Sequence, residues 1–263
     1  KVLTFFASNG MVANPSKTGL LVFRPVHRAE DEPLCCKLSD EEISESCEER
    51  ILGVIVRNDL KWSSHVNKVK QECNYHISVL RRLRRVLGND HLKQIAEGTL
   101  MSRLRYCLAV HGAEQLRFGD EDKRTAASQE LQGIQNEMLR IITGRKRADH
   151  AKIKDMLETT NMLSINQLIG YGIAMEVWKA KAFNIPQLST LLLHDRDDER
   201  TLRSNSNHSA VSSTIEPFAI CARNLWNQTS DRFRTTNLLN IAKIEAKKEA
   251  KRLEKLRRFN FEE

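Results

Sequence analysis

The chain has 263 residues, 40% of them hydrophobic and 6% aromatic, enough for one or two cores in one or two domains. Its net charge is +8, which names no partner until the placement of the basic residues is known. No apolar stretch approaches the roughly 20 residues that span a bilayer, nothing resembles a signal peptide, and Cys35, Cys36, Cys47, Cys73, Cys107 and Cys221 form neither a CxxC pair nor a zinc spacing with histidine.

These features argue against a membrane protein, a disulfide scaffold and a metal centre. They lead us to expect free thiols in an intracellular, reducing compartment, nucleus or cytoplasm. The first residue is Lys1 rather than Met, so the expectation is a processed leader or a piece of something longer.

In chain order, residues 1–60 are the only region with strand character. Val2, Leu3, Phe5 and Phe6 lead to Asn9-Gly10, a turn or helix stop. After the turn Asn14-Pro15-Ser16, the stretch Lys17 to Phe23 reads as a buried strand, because Leu20, Leu21, Val22 and Phe23 are continuous rather than alternating. Residues 28–50 carry Glu30, Asp31, Glu32, Asp40, Glu41, Glu42, Glu45, Glu48 and Glu49 against only Arg28, Lys37 and Arg50, and read as an exposed acidic loop. Ile51 to Val56 make a second short strand, closed by Arg57-Asn58-Asp59.

From Ser63 the period changes. Val66, Val69, Cys73, Ile77, Leu80, Leu83 and Leu87 form one apolar stripe on a long helix over 63–87, ended by Gly88-Asn89-Asp90. Leu92, Ile95, Ala96, Leu100, Leu104, Cys107 and Leu108 form the stripe of a second helix over 92–110, and the two should pack as an antiparallel hairpin. A polar link near 117–126 marks a boundary. Leu131, Ile134, Met138, Ile141 and Ile142 then mark a third helix stopped by Gly144, and a fourth runs over about 150–159. Ile165 to Phe183, apolar on most sides, reads as the central helix of a second bundle. Residues 195–214 read as a mobile linker, followed by a short helix through Phe218 and Trp226 and the terminal run IAKIEAKKEAKRLEKLRRF.

The expected fold class is therefore α+β and mostly α. Short strands occupy 1–60, a helical hairpin 61–116, a helical bundle 117–194, and a linker with terminal basic helices 195–263.

The positive charge is concentrated on these helices. Helix 63–87 carries Lys68, Lys70, Arg81, Arg82, Arg84 and Arg85, with Glu72 as its only acid. An ordinary solvated face mixes signs and forms pairs along the helix, which this one cannot do internally. Phosphates would relieve such repulsion, so nucleic acid is the favoured partner for this face, with a merely solvated surface as the other reading. Arg140, Arg145, Lys146 and Arg147 flank the Gly144 stop, where cations also complement a helix C-terminus. In the tail, Lys247, Lys248, Lys251, Arg252, Lys255, Arg257 and Arg258 interleave with Glu245, Glu249 and Glu254, as on an exposed helix. A nucleic-acid contact and a localisation element are further readings of that tail.

Set in order, the strings are NPSKT entering a strand, LGV, DLKWSSHVNKVK opening a helix that ends LRRLRR, RYCLAVHG, and LQGIQNEMLRIITG. This order resembles the C-terminal part of the reverse transcriptase of non-LTR retrotransposons, LINE-like elements of the jockey kind, over about Val2 to Trp226. The resemblance implies that residues 1–60 are the end of a polymerase palm, 61–116 a thumb, and 117–194 a C-terminal helical bundle. Lys17 would stand near the incoming nucleotide, where it could stabilise the leaving pyrophosphate; its other reading is a turn residue beside Asn14. Gly53 would belong to the primer grip, letting backbone lie close to a strand, although a bare bulge needs glycine equally. Trp62 and His65 would pack thumb against palm. Arg81, Arg82, Arg84 and Arg85, with Lys68 and Lys70 and then Arg145, Lys146 and Arg147, would contact phosphates of the RNA–DNA hybrid, fixing position and not sequence.

The departures bear on activity. The family's polymerase holds two magnesium ions on aspartates of the palm, one pair in an Asp-Asp loop. Here Asp197-Asp198 is the only such pair, and it lies in the polar linker after the thumb. The expectation is a fragment of an RNA-directed DNA polymerase that positions primer and binds hybrid without catalysing alone. It would hold no cofactor itself, its partners would be RNA and DNA, and no membrane would be involved. The alternatives are a stand-alone basic helical nucleic-acid-binding module from a decayed element, and a helical protein-interaction scaffold.

Overall fold

The computed structural model describes residues 2–24, 32–38, 41–113, 126–185, 221–222, 225–226 and 228–259. It is mostly helical with a few short strands, and it divides into two compact units, Lys1–Asn67 and Lys68–Glu263. The expected linker at 195–214, the pair Asp197-Asp198 and Phe218 lie outside the described residues.

The first unit opens with helix α1 (Val2–Ser8), stopped by Gly10 in the left-handed region at φ 67°. A single 3-10 turn, Pro15–Lys17, follows. Proline presets its first residue, and the Asn14 side chain accepts hydrogen bonds from the Ser16 amide (3.0 Å) and hydroxyl (2.7 Å). The strand expected over 17–23 shrinks to β1 (Leu20–Leu21).

The acidic segment is not a loop. It forms β2 (Cys35–Leu38), β3 (Glu41–Ser46) and β4 (Glu48–Ile51). β3 is central, antiparallel to β2 with Cys36 opposite Ile43, and parallel to β1 with Leu20 opposite Glu45. Acidic content misleads here because a strand is decided by its pairing partners. Ile43 is buried, and the Glu45 carboxylate is bound by both Arg24 Nη atoms and by the Leu34 amide at 3.1 Å. The Arg24 guanidinium, and after it the Leu34 amide, hold the Glu45 carboxyl below the usual carboxylate range.

The strand expected over 51–56 is a hairpin instead. β4 pairs with β5 (Val54–Arg57), Ile51 opposite Val54, across the two-residue turn Leu52-Gly53. Both turn residues have positive φ, 48° and 90°, as a primed turn between twisted strands demands, and this is why a glycine stands at 53.

In the second unit the helices of 68–113 and 126–185 share one core. α2 (Ser63–Leu83) ends a turn before the expected Leu87. The expected second helix begins as α3 (Asn89–Ala96), widens into a π turn at Glu97–Met101 and resumes as α4 (Ser102–Arg105). Cys107 in the left-handed region then breaks it, and α5 (Leu108–His111) is a separate turn. α6 (Ala126–Thr143), α7 (Ile153–Thr160) and α8 (Ile165–Ala182) match the expected helices closely. Leu80, Leu92, Leu100, Met101, Leu104, Leu131, Met138, Leu139, Ile142, Ile165, Ile169 and Phe233 are almost wholly excluded from solvent. Two glutamines of α6 close polar gaps in this core: Gln135 Nε2 donates to the Leu163 carbonyl (2.7 Å), and Gln132 Oε1 accepts from the Ile165 amide (3.0 Å). Ser164 and Gln167 complete a capping box at the start of α8.

The chain ends with α9 (Asp231–Thr235) and α10 (Leu239–Phe259). α10 is not a solvated helix, because it packs along α8. Ala242, Ala246, Ala250 and Leu253 share a buried stripe with Glu245 and Glu249, which are only 6% and 5% exposed. The alanines let the helices approach closely. Glu245 is neutralised by Arg232 (3.3 Å) and Lys248 (2.9 Å), and Glu249 by Arg252 (2.6 Å). Trp178 Nε1 donates to the Thr236 carbonyl at 2.8 Å and fixes the chain just before α10. Among the described residues, no helix is long and apolar enough to cross a membrane.

Two outcomes follow from this packing. Ala246→Leu overpacks the α8–α10 contact and should cost about 1–3 kcal/mol, read as a lower denaturation midpoint together with faster proteolysis within α10. Cys73 is buried, and burial pushes its thiol up to about 11. Cys35, Cys36 and Cys47 are exposed, and the Glu42 carboxylate holds the Cys35 thiol above its ordinary value. At neutral pH iodoacetamide should therefore label Cys36 and Cys47 first, Cys35 more slowly, and Cys73 only after unfolding.

Candidate nucleic-acid interface

The basic face of α2 is divided by its neighbours. Toward α6, Lys70 pairs with Glu130 at 3.4 Å and Arg81 with Glu137, while Glu72 is joined by Arg103 of α4 at 3.4 Å. The single-signed surface expected from the helix sequence is therefore partly neutralised by acids from other helices. Lys68 is half-buried. At these exposures each such pair contributes on the order of 0.2–1 kcal/mol.

Arg84 has a different task. Its Nη1 donates to the Ile142 carbonyl at 3.1 Å, and the same guanidinium binds the Asn89 side chain. Ile142 lies in the last turn of α6, whose carbonyls lack partners within their own helix, so the arginine of one helix closes the end of another. Gly144 follows with φ 73°, and a Cβ there would stand 2.5 Å from an Arg84 Nη atom. The left-handed stop favours glycine there, and a Cβ would press only on the flexible tip of Arg84.

Two basic clusters flank this joint in sequence. Arg82 and Arg85 lie on the α2 side, and Arg145, Lys146 and Arg147 leave the α6 side immediately after Gly144; all five are exposed. Among the described residues none of the five forms an ion pair. The Lys146 amide donates to Asp149 Oδ2 at 2.7 Å, which turns the chain toward α7 and leaves the side chain to solvent. Lys152 and Lys154, exposed at the start of α7, extend the edge. Neither lysine is among the basic residues singled out from the sequence. The signal was present: cations crowd a helix N-terminus, where the dipole disfavours them.

The remaining candidates lie in the first unit. Lys17 is exposed at the end of its 3-10 turn. Gly53 sits in the hairpin turn beside Leu52, which is 87% exposed. His65 is buried, and its Nδ1 accepts from the Ile55 amide at 3.4 Å, tying the first turn of α2 to β5. Trp62 is half-buried, and its carbonyl accepts from the Val66 amide at 2.9 Å. Lys255, Arg257 and Arg258 belong to α10, but their side chains lie outside the described residues.

Arg84→Ala removes charged hydrogen bonds from a helix end and should cost about 1–3 kcal/mol. Arg81→Ala, losing only an exposed pair, should stay within about 1 kcal/mol. Urea denaturation of the two variants beside the parent chain measures the difference, and equal costs would show that Arg84 is no more than a surface cation. No protein-family model, no curated protein and no solved structure matches this chain.

Proposed function

We propose that this chain is the thumb end of a reverse transcriptase of the non-LTR retrotransposon kind, with a role in holding an RNA–DNA hybrid through its phosphates. The observation that carries the reading is the edge formed at Arg84, where Arg82, Arg85, Arg145, Lys146 and Arg147 stand exposed without acid partners among the described residues. Like charges held together at one edge are relieved by phosphates, which release counterions on binding. On this reading the first unit is the end of a palm. Its exposed turn at Leu52-Gly53 suits close approach to a primer strand, and the exposed Lys17 suits an incoming nucleotide. The exposed Phe5, Val12, Phe23 and Ile51 suit a unit that shares its core with further β-structure.

Magnesium belongs to the parent enzyme on this reading. Among the described residues no group of three or more His, Cys, Asp or Glu side chains could hold a metal ion.

A second reading, a stand-alone nucleic-acid-binding module, is favoured by one fact: the edge and its mounting lie wholly within the compact unit Lys68–Glu263.

The test is binding of a labelled RNA–DNA hybrid, followed by anisotropy across a salt series. Reversal of Arg82, Arg85, Arg145, Lys146 and Arg147 to Glu should weaken binding by about tenfold or more and flatten the salt slope by about one per lost contact. Unchanged affinity and slope would remove the thumb assignment. Lys17→Ala and Leu52→Asp separate the two readings, since they should weaken binding at a primer terminus for a polymerase end and leave a stand-alone module unaffected.

A further inference from the structure

The outward face of α2 carries an aromatic ring next to a cation. Tyr75 is 65% exposed, and its ring meets that of His76 at a centroid separation of 5.4 Å and an angle of 79°. Edge contact of this kind orients a ring while leaving most of its area to solvent. His76 is half-buried. Burial, and then repulsion from Arg103 against the pull of Glu72, holds its imidazole below its ordinary value, so it is uncharged at neutral pH.

Arg82 shares that face. Seven residues make about two helical turns, so Tyr75 and Arg82 stand in line, about 10 Å apart along the axis. The arginine side chain shortens the gap. Its Nε donates to the Ser78 carbonyl at 3.4 Å, one turn back toward Tyr75, and the Ser78 hydroxyl donates to the Tyr75 carbonyl at 2.7 Å. Val79, half-buried one turn after Tyr75, gives the face between them an apolar floor. Among the described residues Arg82 forms no ion pair.

The one carboxylate of α2 does not offset that cation. Glu72 lies one turn before His76 and is occupied by Arg103 of α4, whose Nε stands 3.4 Å from Glu72 Oε2. Arg103 Nη1 also donates to the Thr99 carbonyl at 3.1 Å, which holds the side chain in place. The face therefore combines an exposed ring, an apolar floor and an unneutralised guanidinium. An acidic peptide would use the guanidinium alone, and an apolar helix would bury it without a partner. A nucleotide uses both, because its base is a flat π surface and its phosphate an anion.

We propose that Tyr75 is a stacking platform for an unpaired base of a single nucleic-acid strand, with His76 orienting the ring and Arg82 taking the strand's phosphate. The inference rests on the reading of α2 as a nucleic-acid face, and adds a base contact where that reading has only phosphates of a hybrid. Bases inside a duplex are stacked on one another, so the platform serves unpaired nucleotides.

The experiment uses the full chain and the anisotropy of a labelled single-stranded RNA without self-complementarity, across a salt series, with the RNA–DNA hybrid titrated in parallel. Tyr75→Ala should weaken single-strand binding by about fivefold or more. It should leave the salt slope unchanged, since an uncharged ring releases no counterions, whereas Arg82→Gln should weaken binding and flatten the slope by about 0.7. Tyr75→Phe and Tyr75→Trp keep a stacking ring and should bind within about twofold of the parent chain, while Tyr75→Leu, apolar but not flat, should lose as much as alanine. Hybrid affinity should hold in Tyr75→Ala. The platform is overturned by parent-like single-strand binding in Tyr75→Ala, by an equal loss in Tyr75→Phe or on the hybrid, or by retained affinity in Tyr75→Leu. Hybrid binding by the parent chain keeps the phosphate reading in each of those cases. Single-strand binding that depends on Tyr75 in a chain that does not bind hybrid would keep the platform and remove the hybrid, and binding of neither probe overturns both.

Discussion

The hydrogen bond from Arg84 to the Ile142 carbonyl joins the ends of α2 and α6, and the arrangement of exposed charge in the second unit depends on it. A helix end without partners is costly to bury, and a guanidinium satisfies it with a charge of the right sign. Gly144 follows in the left-handed region, with the Arg84 tip beside it. Once the two helix ends are joined, the chain leaves α6 through Arg145, Lys146 and Arg147 beside the arginines that end α2.

The basic residues of this protein consequently do two kinds of work. Lys70 and Arg81 pair at the surface with acids of α6, Arg84 reaches the end of α6, and Arg252 and Lys248 neutralise the buried carboxylates of α10. Among those that remain outward, Arg82, Arg85, Arg145, Lys146 and Arg147 flank the joint at Arg84 in sequence.

The two units differ in how they spend apolar residues. The second buries long side chains from five or more helices around α8, and even its terminal helix contributes a stripe of alanines. The first buries little beyond Ile43, Val54, His65 and Val66, and leaves Phe5, Val12, Phe23 and Leu52 exposed. Its strands are held by particular polar contacts, with Glu45 bound by Arg24 and Leu34, and Glu48 opposite Arg57. That difference is why the proposed roles assign binding strength to the helices and contact geometry to the strands.

The helices were legible in the sequence by itself. The apolar stripes of α2, α6 and α8, the stop at Gly144, and the basic character of the α2 and α6 ends all follow from local period and local composition. What stayed hidden depended on partners far along the chain. The acidic segment became strands because β3 found partners on both sides in β1 and β2, and the interleaved charges of α10 resolved into a buried carboxylate stripe and outward lysines only when that helix met α8. A residue's type and spacing set which face of its own helix it occupies. Whether Arg81 meets Glu137 or water is set by contacts between elements, and that only the tertiary structure decides.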